Sequence, residues 1–385
     1  MRYKLSVPAR VNVLGNPSDA NEGDFATISA AVDLRAGAFV EAADGVILES
    51  LSQEFPKAEQ KITIALVESY EEYAIGDSLL PYTGELDLLK GAINRLYKYS
   101  AEFRQKYARQ GVHIATWSNV PRQSGLGGSS LFVILALAGL RQIYDLDPLL
   151  HNNYVLAELT QRVESLELGI TCGFADRYVP IFGGLAYLDY RGKLYHREIQ
   201  QEPYGTYERL ESYLPQSGLP LVMACTGIPH DSGDVHAHMR PRYIEEYDAW
   251  ALRGGEMPPM VGFMSAAWET AWRGKIALLQ GDLPTFGALM NENHGVVDQM
   301  MSYCGFTDGA GWANNLLIQV ALENGALGAK LTGAGGGGSV FALTRPGEEN
   351  RLVEVWNKAA AENGLEKAWI YQPKISNQGL LIREI

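Results

Sequence analysis

The sequence predicts a mixed α+β (α/β) chain of two domains, and three observations predict it. Strand-like alternation and helix-like periodicity interleave along both halves. The length of 385 residues exceeds what one ordinary domain needs, and a hydrophobic share of 46% is enough to fill two cores. A polar, irregular stretch from about Tyr190 to Ser217 precedes a fresh apolar strand, LPLVMACTG at 219–227. We expect a first domain over 1–205 and a second over 206–385.

Taken in order, residues 3–14 (YKLSVPARVNVL) alternate as a strand does, and 37–50 do so again. Residues 85–108 and 154–168 carry helical periodicity. Between them NVPRQSGLGGSSLFVI (119–134) runs from a glycine-rich loop into Leu131–Leu140, apolar all round and therefore a buried helix. That run is about half the roughly 20 residues needed to span a bilayer. The second half shows helices at 262–280, 285–301 and 311–324. Then comes GAKLTGAGGGGSVFALT, two short β-type runs around a second glycine-rich loop, which predicts a hairpin-like arrangement.

Charge and cysteine usage narrow the function. A formal charge of −13 repels nucleic acid and anionic membranes, so neither is expected as a partner, and an anionic substrate needs local help from Arg, Lys, a metal ion or helix N-termini. Cys172, Cys225 and Cys304 are too scattered for a disulfide framework or a zinc cluster. The opening MRYKLSVPARVNVLG lacks the apolar core of a signal peptide. A reducing, cytoplasmic setting is expected. No repeat, low-complexity tract or mark of oligomeric state stands out.

The two glycine loops carry the chemistry. Neither contains the lysine and hydroxyl pair of GxxxxGK[ST], so an ordinary P-loop is not expected. Gly333–Gly338 satisfies GxGxxG but sits between strands and opens no helix, which argues against a dinucleotide site. The first loop is better placed. Gly125, Gly127 and Gly128 leave backbone amides bare, and the helix beginning near Ser129 points its unsatisfied N–H groups and positive dipole end at whatever the loop holds. Ser129 and Ser130 either cap that helix or supply a hydroxyl to a metal bound to a nucleotide.

Three segments in order, PARVNVLGNPSD (8–19), PRQSGLGGSS (121–130) and KLTGAGGGGSVFAL (330–343), resemble the three motifs of the GHMP small-molecule kinases. NVPRQSGLGGSS, LGITCGFADRYVPIFGGLAYLDY (168–190) and DSGDVHAHMRPRY (231–243) are most similar to the glucuronokinase branch, while heptose kinases share the layout. The resemblance implies an N-terminal domain like ribosomal protein S5 domain 2, a ferredoxin-like C-terminal domain, and ATP-dependent phosphorylation of a sugar with Mg²⁺. It implies a small-molecule sugar as partner, D-glucuronate at its anomeric hydroxyl before galacturonate, a heptose phosphate or an isoprenoid precursor. A catalytically silent sugar or nucleotide sensor on the same scaffold is the alternative of another class.

By this resemblance ATP sits on Pro121, Ser124, Gly125, Leu126, Gly127, Gly128, Ser129 and Ser130, and Ser129 with Glu164 holds Mg²⁺. Asp176 is the catalytic base and Arg10 keeps it ionised while offsetting charge on the transferred phosphoryl group. The plainer readings are a solvated Glu164, an Asp176 that caps a helix or pairs with Arg177, and a surface ion pair for Arg10; Glu167 is the alternative metal ligand. Asp19 and Asn16 are expected on the sugar, in GNPSD where galactokinase has a GEHTD-type sequence. Ser232 and His236 are further candidate sugar contacts, and Gly335 and Gly336 offer bare amides, flanked by Thr332 and Ser339. A uronate carboxylate calls for an arginine. Arg122, Arg177, Arg240 and Arg242 are the candidates, with the Arg240/Arg242 pair preferred. Tyr73, Tyr82 and Leu86 are candidate walls for the adenine. His236 and His238, two apart, do not form a metal pair on one helix face.

Overall fold

The computed structural model describes the chain except residues 22–24, 53–62, 71–78, 85, 194–198, 215–217 and 230–231. Strand β1 (Arg2–Leu14) begins the chain as its alternation predicts, and the second predicted strand is the end of one strand and the start of the next, which do not pair with each other. β2 (Ala26–Ala43) ends at a turn and β3 (Val46–Ser52) leaves it. β4 (Thr63–Tyr70) follows. The predicted helix 85–108 is two, α1 (Asp87–Tyr99) and α2 (Ala101–Tyr107), because Ser100 is extended and its hydroxyl accepts from Phe103 N, starting a new helix. β5 (Gly111–Ser118) leads into the glycine loop and α3 (Gly128–Ile143). Then come α4 (Asn153–Arg162) with a π turn at Val163–Glu167, α5 (Ala175–Phe182), β6 (Leu185–Asp189) and β7 (Thr206–Arg209).

The second half runs β8 (Leu221–Cys225), α6 (Ser232–Arg253), α7 (Pro259–Leu279), α8 (Leu283–Tyr303), α9 (Trp312–Glu323), β9 (Gly328–Thr332), β10 (Ser339–Leu343), α10 (Glu349–Glu362), β11 (Trp369–Tyr371) and β12 (Leu381–Glu384). β9 and β10 pair antiparallel around the second glycine loop, the expected hairpin. The second sheet has the order β11-β8-β10-β9, antiparallel throughout, with helices between β8 and β9 and between β10 and β11. This is the ferredoxin-like arrangement.

The first sheet runs β12-β1-β2-β5-β3-β4, with β6 and β7 continuing from the far part of β2. The division at 205/206 is corrected by these pairings. β7 pairs with β6 and the C-terminal β12 returns to β1, so both belong to the first sheet. Ladder hydrogen bonds between residues far apart in sequence leave no local composition signal. Val7 to Leu14 are all buried, so β1 is covered on both faces; α3 and α5 pack on it, as do α7 and α8 from the second domain. Alternation along β1 puts Arg10 and Asn12 on one side, away from Val11 and Val13. Among the described residues no helix is long and apolar enough to cross a membrane.

Candidate active site

A cavity of about 1200 Å³ lies between the two domains. Its walls are the polar side of β1, the loop before α3, the segment 169–173 leading to α5, the first turn of α6, and Gly333 with Ala334. One end is walled by Leu51, Leu86, Leu89, Thr116, Ser118, Val120 and Phe132, apolar with a few hydroxyls; the other by Asn16, Asp19, Cys172, Asp176 and His236.

Between these ends stands the N-terminus of α3. Gly127, at φ +78°, occupies the cap position, a conformation that favours glycine, and no side chain caps the helix. The serines therefore do not cap. Ser129 Oγ donates to Glu164 Oε1 at 2.7 Å and Ser130 Oγ to Oε2 at 2.8 Å. Gly127, Gly128 and Ser129 face the cavity with the amides of the first turn, an anion site by geometry and dipole. Leu126 points into the core instead.

Glu164 is placed by the π turn that extends α4. Three apart, Glu164 and Glu167 would share a face of an α-helix; the wider turn spreads them. Glu164 reaches the cavity, whereas Glu167 pairs with Arg95 and Lys98 and accepts from Tyr82. This removes both the alternative metal ligand and Tyr82 from the site, while Leu86 lines it and Tyr73 lies outside the described residues. A hydroxyl and a carboxylate 2.7 Å apart on the cavity wall are the hard oxygen donors that suit Mg²⁺.

Asp176 sits in the first turn of α5, but its partner comes from 166 residues away. Arg10 Nε donates to Asp176 Oδ1 at 2.5 Å and Arg10 Nη1 to Gly125 O at 2.6 Å, so one guanidinium joins the carboxylate to the phosphate loop. Burial pushes the Asp176 carboxyl up, but Arg10 and then Arg177 outweigh it and hold it below its ordinary value. Asp19 is the reverse case. Burial, then the charge of Asp176, raises its pKa, although Ala175 N donates to Asp19 Oδ2 at 3.0 Å. Gly173 permits this contact, since a Cβ there would lie 2.2 Å from Asp19 Oδ2.

Several sugar candidates are engaged otherwise. Arg177 lines the cavity, but it is fully buried and donates to Glu164 and to Gly173 O, with Asp176 Oδ2 at 3.8 Å, so its charge is engaged by the protein itself. The preferred pair is corrected: neither Arg240 nor Arg242 lines the cavity, and Arg242 donates to Tyr303 O and lies 3.7 Å over the Tyr303 ring. The rotation of α6 sets Arg242 against Tyr303 at the end of α8. Gly335 and Gly336 also turn away, packing on Met301 and bonding Ala310 O. His236 does line the cavity; the Ser232 side chain lies outside the described residues. Arg122 and Pro121 line it, as does Ser124, whose hydroxyl bonds Pro121 O. The structure adds Cys172 and Asp234, which no local signal marked.

Residues 87–184 match the family described as GHMP kinases N terminal domain, and 314–362 that described as GHMP kinases C terminal. Glucuronokinase 1 of Arabidopsis thaliana is 30% identical over 280 residues, covering 72% of this chain and 70% of the relative. The chain belongs to the GHMP kinase family. This GHMP kinase is also 29% identical to Probable glucuronokinase 2 of the same plant over 91% of its length and 87% of the relative. It is 26% identical to D-glycero-alpha-D-manno-heptose 7-phosphate kinase of Campylobacter jejuni, over 75% and 76%. In fold it is similar to Lactococcus lactis galactokinase complexed with galactose, with TM-score 0.73 and 20% identity over 99% and 95% of the two chains. It is an ATP-dependent phosphotransferase acting on an alcohol group, which sets the silent-sensor alternative aside.

Proposed function

We propose that this kinase transfers the γ-phosphate of ATP to the anomeric hydroxyl of D-glucuronate, giving glucuronate 1-phosphate and ADP. The observation that carries the reading is the Arg10–Asp176 pair, set between a helix N-terminus and a buried acid, Asp19, in one cavity. The acceptor itself rests on the similarity to the two Arabidopsis glucuronokinases.

In this reading the adenine occupies the end walled by Leu51, Leu86 and Phe132, and the phosphates lie on the amides of Gly127 and Gly128 at the α3 N-terminus. Ser129 and Glu164 would hold Mg²⁺, which when bound neutralises phosphate charge. Asp19 accepts hydrogen bonds from sugar hydroxyls. Asp176, kept ionised by Arg10, accepts the hydrogen bond of the attacking hydroxyl, orients it, and takes its proton as the new O–P bond forms. Arg10, bonded at once to Asp176 and the phosphate loop, places a fixed positive charge beside the oxygens on which charge builds. For the uronate carboxylate, Arg122 replaces the second-domain pair. It lines the cavity and forms no hydrogen bond or ion pair with a described residue. The three free cysteines support a reducing, cytoplasmic setting.

The test is ADP release with Mg·ATP and a panel of D-glucuronate, D-galacturonate, glucose, galactose, a heptose 7-phosphate and mevalonate. D-glucuronate is expected to exceed glucose by about 100-fold in kcat/KM, the worth of a lost charged contact. Turnover of the heptose phosphate instead, the substrate class of the Campylobacter relative, would keep the kinase and replace its acceptor.

A further inference from the structure

One buried cation beside the cavity takes no part in the chemistry above. Lys330, in β9, is fully buried, and its Nζ donates to Asn16 Oδ1 and Leu331 O at 2.7 Å each and to Asn12 O at 3.2 Å. Three acceptors call for three N–H donors, which only the ammonium form has. None of the three is a carboxylate, so carbonyl dipoles hold the charge, with the face of the Phe341 ring 5.5 Å away. Burial, and then Arg10, draws the pKa of this amine well below its ordinary value. A methionine of similar length would carry no such desolvation cost.

What the ammonium holds is a join between the domains. β9 is the edge strand of the second sheet and packs beside β1. Across the join Asn12 N donates to Thr332 Oγ1 at 2.9 Å and Asn16 Nδ2 to Gly333 O at 3.0 Å. Asn293 of α8 closes it, accepting from Gly15 N and donating to Asn16 O, both at 3.2 Å. The Asn16 amide is thereby oriented, oxygen toward Lys330 and nitrogen toward Gly333. Asn16, Pro17 and Asp19 all line the cavity.

We infer that Lys330 is a positioning residue for the acceptor: from the second domain it orients Asn16 and so sets the loop 15–19 that presents Asp19. Asn16, expected on the sugar, then acts as a strut that ties this loop to the second glycine loop. The inference rests on the kinase reaction and not on which sugar is used.

The test is Lys330→Met, with Asn16→Ala as the deciding variant where Lys330→Met does not fold. Kinetics with D-glucuronate and ATP are measured together with hydrogen–deuterium exchange over residues 11–20 and 125–135. The KM for D-glucuronate is expected to rise about tenfold with the KM for ATP within about twofold. Exchange should quicken over 11–20 and stay unchanged over 125–135. Equal loss for both substrates would mark a merely structural lysine and overturn the inference, and so would an unchanged KM with unchanged exchange over 11–20. Where the wild type does not phosphorylate D-glucuronate, the acceptor reading fails and the exchange comparison alone decides this one.

Discussion

Helix α5 feeds two buried charge clusters from adjacent residues, and they differ in a way that marks the active site. Arg177 enters the first, with Arg10, Asp19, Glu164 and Asp176. Tyr178 enters the second, donating to Glu158, which also binds Arg162 at 2.8 Å and Lys193 at 2.7 Å; Lys193 reaches Glu202 at 3.1 Å. Among the described residues the second cluster sets two cations against two carboxylates, its charged side chains at most 3% exposed. The first sets two arginines against three carboxylates and opens on the cavity, with the Asp176 side chain 20% exposed. A balanced, closed cluster has its charges satisfied by one another and serves the fold. An unbalanced, open one leaves an acid and a face for a ligand, which is how neighbouring carboxylates come to hold different pKa values.

The sharpest way to break this comparison is to neutralise one charged side chain in each cluster. Asp176→Asn is expected to lower kcat by about 10²–10⁴-fold while the thermal midpoint stays within a few degrees. A loss of stability with retained turnover would reverse the roles of the clusters. Lys193→Met removes one of the two cations that Glu158 and Glu202 share among the described residues and is expected to cost about 3–5 kcal/mol in denaturant unfolding. The folded fraction should keep a kcat within a few-fold of wild type. The smallest effect is on pH dependence. Because the folded-state pKa of Asp176 lies below its unfolded value, its stabilisation is complete above the ordinary aspartate range and is lost as pH falls through the lowered value. The kcat/KM profile should therefore show no acid limb from Asp176 above pH ~4. In Arg10→Met, burial is no longer opposed by that guanidinium, and the limb should move up in pH. An unshifted limb would mean that another group governs it.

How much of the site was legible follows from the range of each interaction. The phosphate loop was readable because bare glycines followed by an apolar helix are a local pattern with one strong physical use. Glu158, Glu164 and Glu167 were not separable by pattern, since all three lie on one helical run, and family resemblance alone singled out Glu164. In the structure each takes its own partners: Arg162 with Lys193, Ser129 with Arg177, and Arg95 with Lys98. The arginines of HMRPRY were equally unreadable, because the axial rotation of α6 decides which of its residues see the cavity.

The sequence by itself determined the local chemistry: the strand and helix pattern, the anion-binding helix N-terminus, the hairpin around the second glycine loop, and the ordered motifs that mark the kinase family. Periodicity, glycine placement and motif order act within a few dozen residues, so one chain suffices to read them. Only the tertiary structure decided that Arg10 meets Asp176, that the C-terminal strand returns to the first sheet, and that Lys330 orients Asn16 across the domain join. Each of these joins residues more than 160 positions apart, and such a contact is chosen by packing and by the low-dielectric surroundings it creates, neither of which exists until the chain has folded.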